Sequence, residues 1–172
     1  MRKSAFGIMV LLLVAAGCAP QGPRMGEMSE GRSYEASGFS IPSLGGSGGT
    51  IDLAEYEGQV VLLDFWATWC PPCRAELPAL NRLYSELKDE GFVLIGMTVD
   101  KGSVEQVASA VERFNLRYPV GLADEQAQNA YGEIRAVPTK FLLDREGAVQ
   151  QRYVGVVSEE QLKADIEALL AL

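Results

Sequence analysis

Apolar residues along the chain follow two different repeats, and their order predicts strands alternating with helices. Residues 60–66 and 92–99 form near-continuous apolar runs, which are typical of strands buried on both faces. Between these runs, apolar residues recur at steps of four and three, as on one face of a helix: Cys73, Leu77, Leu80, Tyr84 and Leu87. The pattern therefore predicts a strand, a helix that ends near Gly91, and a second buried strand.

The remainder of the chain continues the alternation. Its predicted elements are, in order, a helix capped by Ser103 and Gln106, a strand at 118–122, a helix at 125–131, strands at 139–143 and 148–154, and a helix capped by Ser158 and Gln161. The turn signal at residues 144–147 joins the last two strands into a hairpin. This order predicts an α/β fold with a central mixed β-sheet flanked by helices on both faces.

The first 37 residues differ in composition from the rest. Residues 1–17 have a basic start, a short apolar stretch and small residues before Cys18, which is the pattern of a secretory signal peptide. The small-residue–cysteine ending resembles a bacterial lipoprotein signal, although Ala15 stands where that signal prefers Leu, so Cys18 is predicted to carry a lipid. Residues 18–37 are rich in Gly, Pro, Ser and charge and predict a flexible tether.

The predicted folded domain is residues 38–172, and it opens with two short apolar patches around the glycines at 45–49. This pattern predicts an N-terminal β-hairpin. The chain is 48% hydrophobic with a net charge of −8 and has no basic cluster beyond its extreme N-terminus. Nucleic acid is therefore not an expected partner, because phosphate recognition requires clustered Lys and Arg.

The predicted chemistry lies at Cys70-Pro71-Pro72-Cys73, directly after the first buried strand and at the start of the first helix. Two cysteines at this spacing can close a disulfide within one helical turn. The helix start lowers a thiol pKa, because unpaired backbone N–H groups and the positive dipole end stabilise the thiolate. The two prolines fit a first turn, where their missing N–H groups have no partner to lose. We therefore expect Cys70 to be the exposed nucleophile and Cys73 the resolving thiol.

Two other interpretations of the cysteine pair are weaker. Half of a zinc site would need further ligands, but the chain has no His and its third cysteine, Cys18, is remote, so no metal is expected. A purely structural Cys70–Cys73 bridge would close too small a loop to restrain the unfolded chain.

The run Asp64-Phe65-Trp66-Ala67-x-Trp69-Cys70-x-Pro72-Cys73 resembles the active-site signature of the thioredoxin superfamily. Glu76-x-Pro78 and Val137-Pro138-Thr139 are similar to the TlpA/ResA-type subgroup. The members of this subgroup are envelope thiol–disulfide oxidoreductases, often anchored, with an inserted strand–helix unit like residues 92–115. The resemblance covers residues 39–172 and implies a thioredoxin-like fold.

By this resemblance, Pro138 is cis and lies against a Cys70–Cys73 disulfide, while Val137 and Thr139 offer backbone groups to an extended substrate. Trp69, Pro71 and Pro72 complete the expected substrate-binding set. The alternative is that Pro138 is simply a proline at the first position of a strand.

Two acids near the cysteines each allow two interpretations. Asp64 lies in an apolar strand, where burial raises a carboxyl pKa, and the superfamily uses an acid here to deprotonate the resolving thiol. Alternatively, Asp64 reaches solvent at the strand end. Glu76 resembles an acid that ResA-like members place near their cysteines; alternatively, it is a solvated helix carboxylate paired with Arg74 or Arg82.

The expected activity is thiol–disulfide exchange at Cys70 and Cys73 without a small cofactor. Pro72 replaces the His that often precedes the second cysteine of oxidant relatives, which favours a reductant of exported proteins, apocytochrome c among them. Disulfide-containing envelope proteins and a membrane thiol reductant are the expected partners, in a periplasm-facing position anchored through Cys18. The alternatives are an envelope oxidase or isomerase, a peroxiredoxin-type peroxidase and a metal carrier.

Overall fold

The computed structural model describes residues 38–45, 49–132 and 134–172. The predicted signal peptide, the lipidation site Cys18 and the tether lie outside the described residues. The elements follow in this order: β1 (Ser40–Pro42), β2 (Thr50–Asp52), β3 (Val60–Trp66), α1 (Pro71–Leu87), β4 (Phe92–Thr98), α2 (Val104–Arg113), β5 (Val120–Leu122), α3 (Glu125–Ala130), β6 (Thr139–Leu143), β7 (Val149–Val154) and α4 (Glu159–Leu170). Short 3₁₀ turns cover Leu53–Tyr56 and Lys88–Glu90.

Five strands form a mixed sheet in the order β5-β4-β3-β6-β7. Strand β3 is central, parallel to β4 and antiparallel to β6, while β7 continues the antiparallel half as a hairpin with β6. Strands β1 and β2 form a separate antiparallel hairpin, as predicted. Helices pack on both faces, so the sequence-based prediction of a mixed α/β fold is confirmed.

Alternation along β3 divides the core into two clusters. Val60, Leu62 and Trp66 share one cluster with side chains of α1, α2 and α4. Val61, Leu63 and Phe65 share the other with the β1–β2 hairpin and α3. Because successive strand residues point to opposite faces, Asp64 belongs to the face covered by α1.

Helix α1 begins where the sequence places the cysteine pair. Cys70 is its N-cap, with Pro71 and Pro72 in the first turn, where no intrahelical N–H bond is lost. The helix continues through Pro78 and buries an apolar stripe with one acid in it: Cys73, Glu76, Leu77, Leu80, Leu83 and Leu87. Each buried leucine contributes about 1.5–3 kcal/mol of transfer free energy, which fixes the helix on the sheet.

Element bounds differ from the prediction mainly at short elements. The strand expected at 118–122 begins at Val120, because Pro119 has no N–H to donate to a ladder. The hairpin docks on this strand: Leu44 N–H donates to the Val120 carbonyl at 2.7 Å. Gly121 permits the approach, since a Cβ there would lie 2.6 Å from Ile41 Cδ1.

Candidate active site

A disulfide joins Cys70 and Cys73 across the first turn of α1, with their Cα atoms 5.3 Å apart. The backbone N–H of Cys73 points at Cys70 Sγ from 3.3 Å, so the outer sulfur receives one of the free N–H groups of the helix start. The expectation that Cys70 is exposed is wrong for this disulfide form: Cys70 is 3% exposed and Cys73 is 2% exposed. Trp69, Pro71 and Pro72, which are exposed, surround the bridge instead.

The loop that carries Trp69 and Cys70 is tied to the end of β4 by Asp100. The Asp100 carboxylate accepts hydrogen bonds from the Thr68 N–H at 2.9 Å and from the Thr68 hydroxyl at 2.6 Å. It also accepts one from the Thr98 hydroxyl. Sequence reasoning interpreted Asp100 only as the start of a turn, because its partner Thr68 lies 32 residues away.

The Val137–Pro138 peptide bond is cis, as the resemblance implies. The Val137 carbonyl oxygen lies 3.8 Å from Cys70 Sγ, which places this bend against the disulfide. Pro138 is buried and its carbonyl accepts a hydrogen bond from Gly155 N–H at 2.8 Å. Thr139 is also buried and already paired with both β3 and β7, so of the three residues Val137 is the most accessible to a substrate chain.

Three charged side chains are buried together beneath α1. Lys140 Nζ lies 3.4 Å from Asp64 Oδ1 and 3.0 Å from Glu76 Oε2. Asp64, Glu76 and Lys140 are 2%, 7% and 0% exposed. We call these three residues the buried charge cluster.

The interpretation of Glu76 as a solvated carboxylate paired with Arg74 or Arg82 is wrong. Its two carboxylate oxygens accept hydrogen bonds from Lys140 Nζ and from the Val157 N–H, each at 3.0 Å. Arg82 instead pairs with Glu159 at the surface. The alternative in which Asp64 reaches solvent is likewise excluded by its burial.

Sequence reasoning missed Lys140, although it is a signal in itself: a lysine inside a predicted apolar strand. In the observed register Lys140 lies directly opposite Asp64 in the β3–β6 pair, on the same face. Burial of a lysine without a partner is costly. The observed register avoids this cost, because it places Lys140 next to two carboxylates.

Burial raises the pKa of Asp64, and nearby Glu76 raises it further, while Lys140 opposes both effects. At 3.4 Å the contact with Lys140 is an ion pair rather than a well-aligned hydrogen bond, since Asp64 Oδ1 has no hydrogen-bond donor within the described part of the chain. Burial also raises the pKa of the Tyr118 phenol, with Asp64 and Glu76 adding to the shift. These effects make Asp64 a carboxyl that can hold a proton.

Comparison with known proteins identifies the family of this chain. A family model described as AhpC/TSA matches residues 33–152. The chain belongs to the AhpC/TSA family. It is 34% identical over 134 residues to the thioredoxin-like protein YneN of Bacillus subtilis, covering 77% of each protein. It is 38% identical over 120 residues to the thiol-disulfide oxidoreductase ResA of Geobacillus kaustophilus, covering 68% of this chain and 67% of that one.

The structural comparison agrees. A Chlorobium tepidum protein described as thiol:disulfide interchange protein DsbE superimposes with a TM-score of 0.74 at 31% identity, covering 83% of this chain and 99% of that one. This member of the AhpC/TSA family is therefore a thiol–disulfide oxidoreductase with a thioredoxin-like fold.

The described residues contain no group of three or more His, Cys, Asp or Glu side chains arranged to hold a metal ion. Within the same residues, no helix of this AhpC/TSA-family protein is long and apolar enough to cross a membrane.

Proposed function

We propose that this oxidoreductase reduces disulfides of exported proteins in the bacterial cell envelope, with apocytochrome c as one candidate substrate. The observation that carries the proposal is the Cys70–Cys73 disulfide at the start of α1, with buried Asp64 beneath that helix. The lipoprotein-like segment ending at Cys18 supports an envelope location. Pro72, in place of a His before the second cysteine, supports reduction rather than oxidation.

The first step uses Cys70 of the reduced enzyme. The N-terminal end of α1, with the Cys73 N–H directed at Cys70 Sγ, favours the thiolate. This thiolate attacks one sulfur of the partner's disulfide. A new S–S bond forms between Cys70 and that sulfur, while the partner's other sulfur leaves as a thiolate and takes up a proton.

The second step uses Cys73. Asp64 accepts the proton of the Cys73 thiol, and the resulting thiolate attacks Cys70 Sγ. The mixed disulfide breaks, the partner's remaining sulfur leaves as a thiolate, and the Cys70–Cys73 disulfide forms. The partner has gained two electrons and the enzyme has lost two.

The residues around the Cys70–Cys73 disulfide indicate what kind of substrate binds there. Exposed Trp69 offers apolar contact area beside Cys70. Pro71 and Pro72 extend the exposed rim, and the backbone at Val137 lies next to the sulfur that forms the mixed disulfide. An extended segment of an unfolded or partly folded partner fits these features, because backbone pairing tolerates many sequences.

Turnover requires a second partner. The oxidised enzyme must regain two electrons and two protons, and the envelope is an oxidising compartment, so a membrane thiol reductant is the proposed donor. A lipid on Cys18 would hold the enzyme at the same membrane.

The test combines trapping with a potential measurement. Cys73→Ala should accumulate mixed disulfides through Cys70, and mass spectrometry of the trapped proteins should identify exported ones. A Cys70→Ala, Cys73→Ala double variant is the control and should trap nothing. The wild-type protein should accelerate the reduction of insulin by dithiothreitol. A reduction potential near that of strong envelope oxidants, about −120 mV, would contradict the reductant assignment and favour an oxidase or isomerase.

A further inference from the structure

The buried charge cluster contains two acids and only one base. If both Asp64 and Glu76 are ionised, Lys140 balances one of them and leaves one uncompensated negative charge in the core. An unbalanced charge in a site of low polarity is costly. One carboxyl therefore has a strong tendency to take up a proton, and the contacts show which one.

The two carboxyls are held very differently. Glu76 accepts hydrogen bonds on both oxygens, from Lys140 Nζ and from the backbone N–H of Val157, each at 3.0 Å. Hydrogen bonds of this kind stabilise the ionised form of a carboxyl. Asp64 has only the 3.4 Å ion pair on Oδ1, and this oxygen accepts no hydrogen bond within the described residues.

We propose that Lys140 is a positioning residue that assigns different roles to the two acids: it holds Glu76 as a fixed anion and leaves Asp64 to carry the proton of Cys73. The inference deepens the proposed function and rests on it. Proton transfer from the Cys73 thiol to Asp64 brings the buried charge cluster from one net negative charge to neutrality. The negative charge passes to the Cys73 sulfur and leaves with the partner's thiolate when the Cys70–Cys73 disulfide forms. Formation of the disulfide is thereby coupled to removal of an unbalanced buried charge.

The described residues place one thiol and two tyrosines next to the buried charge cluster. Cys73 lies one turn before Glu76 on α1, and Tyr118 lies just before β5. Tyr153 on β7 is paired with Lys140 in the sheet and donates a hydrogen bond to Asp165 on α4. Neither tyrosine is charged in the neutral range, since the ordinary pKa of a phenol, about 10, already lies above it. Burial raises the pKa of both phenols further. Asp165 is occupied by Tyr153 and by Gln161.

The test follows the carboxyl resonances of the reduced protein by carbon NMR as a function of pH, together with the pH profile of insulin reduction. In Glu76→Gln, Asp64 should be the one carboxylate paired with Lys140. The titration midpoint of Asp64 should therefore fall by about 1 pH unit or more. Lys140→Met should raise that midpoint by a similar amount. Asp64→Asn should remove the corresponding limb of the pH profile.

Opposite shifts in the two variants are the signature of the proposal. Loss of the limb in Glu76→Gln, with the limb retained in Asp64→Asn, would reverse the roles and overturn it. An unchanged Asp64 midpoint in Lys140→Met would make Lys140 merely structural and would also overturn it. Because the NMR titration needs no substrate, its failure is distinguishable from failure of the proposed reductase activity.

Two further variants serve as a control for this test and as a substitute if Lys140→Met does not fold. Lys163→Met removes a partly buried lysine on α4 that pairs with Glu86 and Glu167, and it should leave the Asp64 midpoint in place. If Lys140→Met does not fold because Glu76 is left unpaired, the double variant Lys140→Met, Glu76→Gln removes the ion pair as a unit, which proteins tolerate better. In that double variant Asp64 should titrate without either neighbour, above its midpoint in Glu76→Gln.

Discussion

On one face of the central sheet, Phe65, Tyr131 and Phe141 pack ring against ring, with centroids 5.2–5.8 Å apart. On the other face of the same strands, Asp64 and Lys140 are buried as an ion pair. Asp64 and Phe65 are neighbours in sequence, so one step along β3 separates an aromatic cluster from a buried ion pair. Because side chains alternate between the two faces of a strand, β3 contributes to the aromatic cluster on one face and to the ion pair on the other.

The aromatic cluster and the buried ion pair contribute to the free energy of folding with opposite signs. Buried aromatic rings contribute large transfer free energies, with about 0.5–1.5 kcal/mol more for each favourable ring pair. Buried charges must be desolvated, and their mutual attraction only partly offsets that cost. The aromatic cluster therefore stabilises a sheet whose other face carries Asp64, the proposed proton acceptor.

Phe65→Ala should have the largest effect on stability. Removal of this ring opens a cavity between Tyr131 and Phe141, and the expected loss of unfolding free energy is about 3–5 kcal/mol. Urea denaturation measures it. Val154→Ala, at an exposed position of β7, is the control and should stay within about 0.5 kcal/mol of wild type. A loss below about 1 kcal/mol for Phe65→Ala would mean that the aromatic face does not provide the stability assigned to it.

The sequence predicted β3, α1 and β4 well because their patterns are long and unambiguous. The predicted strand at residues 60–66 is the observed β3, and the cysteine pair lies at the helix start as expected. The cis bond at Pro138, implied by resemblance, is present. The roles assigned to the individual cysteines and acids stay predictions until the variants are measured.

The contacts that the sequence did not predict depend on strand pairing and packing between residues far apart in the chain. Lys140 is visibly a lysine in an apolar strand, but only the pairing of β6 with β3 places it opposite Asp64. Glu76 is a charged residue on a predicted helix, and its burial is evident only from how α1 lies on the sheet. Asp100 likewise acquires its role only when the loop of Thr68 folds over the end of β4.

Asp64→Asn should stabilise the protein at neutral pH. Burial raises the folded-state pKa of Asp64 above its unfolded value, so the folded state binds more protons between the two values. Its contribution to stability therefore falls as pH rises through that window, and the full cost is present above it. Lys140 keeps Glu76 as a partner when Asp64 is replaced, so no charge is left unpaired.

The expected gain for Asp64→Asn is about 1–3 kcal/mol at pH 7 and less near pH 4. Denaturant unfolding at the two pH values measures it. Asp89→Asn, which removes an exposed carboxylate, is the matched control and should change stability by less than about 0.5 kcal/mol at both. A variant that is less stable at pH 7 than at pH 4, relative to wild type, would show that Asp64 stabilises the fold as an anion.

Trp69→Ala should have the smallest effect on stability and a measurable one on partner binding. The side chain is 64% exposed, so its removal costs little folding free energy, within about 0.5 kcal/mol. An exposed tryptophan beside the reacting sulfur is a strong candidate for partner contact, and truncation should raise the KM for insulin about fivefold, equivalent to about 1 kcal/mol. The rate with a small aromatic disulfide should change less, because such a substrate offers far less area for contact with Trp69 than a polypeptide does. Val104→Ala, another exposed apolar position, should leave both rates unchanged. Equal losses for insulin and the small disulfide in Trp69→Ala would instead show that Trp69 acts on the cysteines themselves, which would make the exposed rim part of the reacting centre rather than a docking surface.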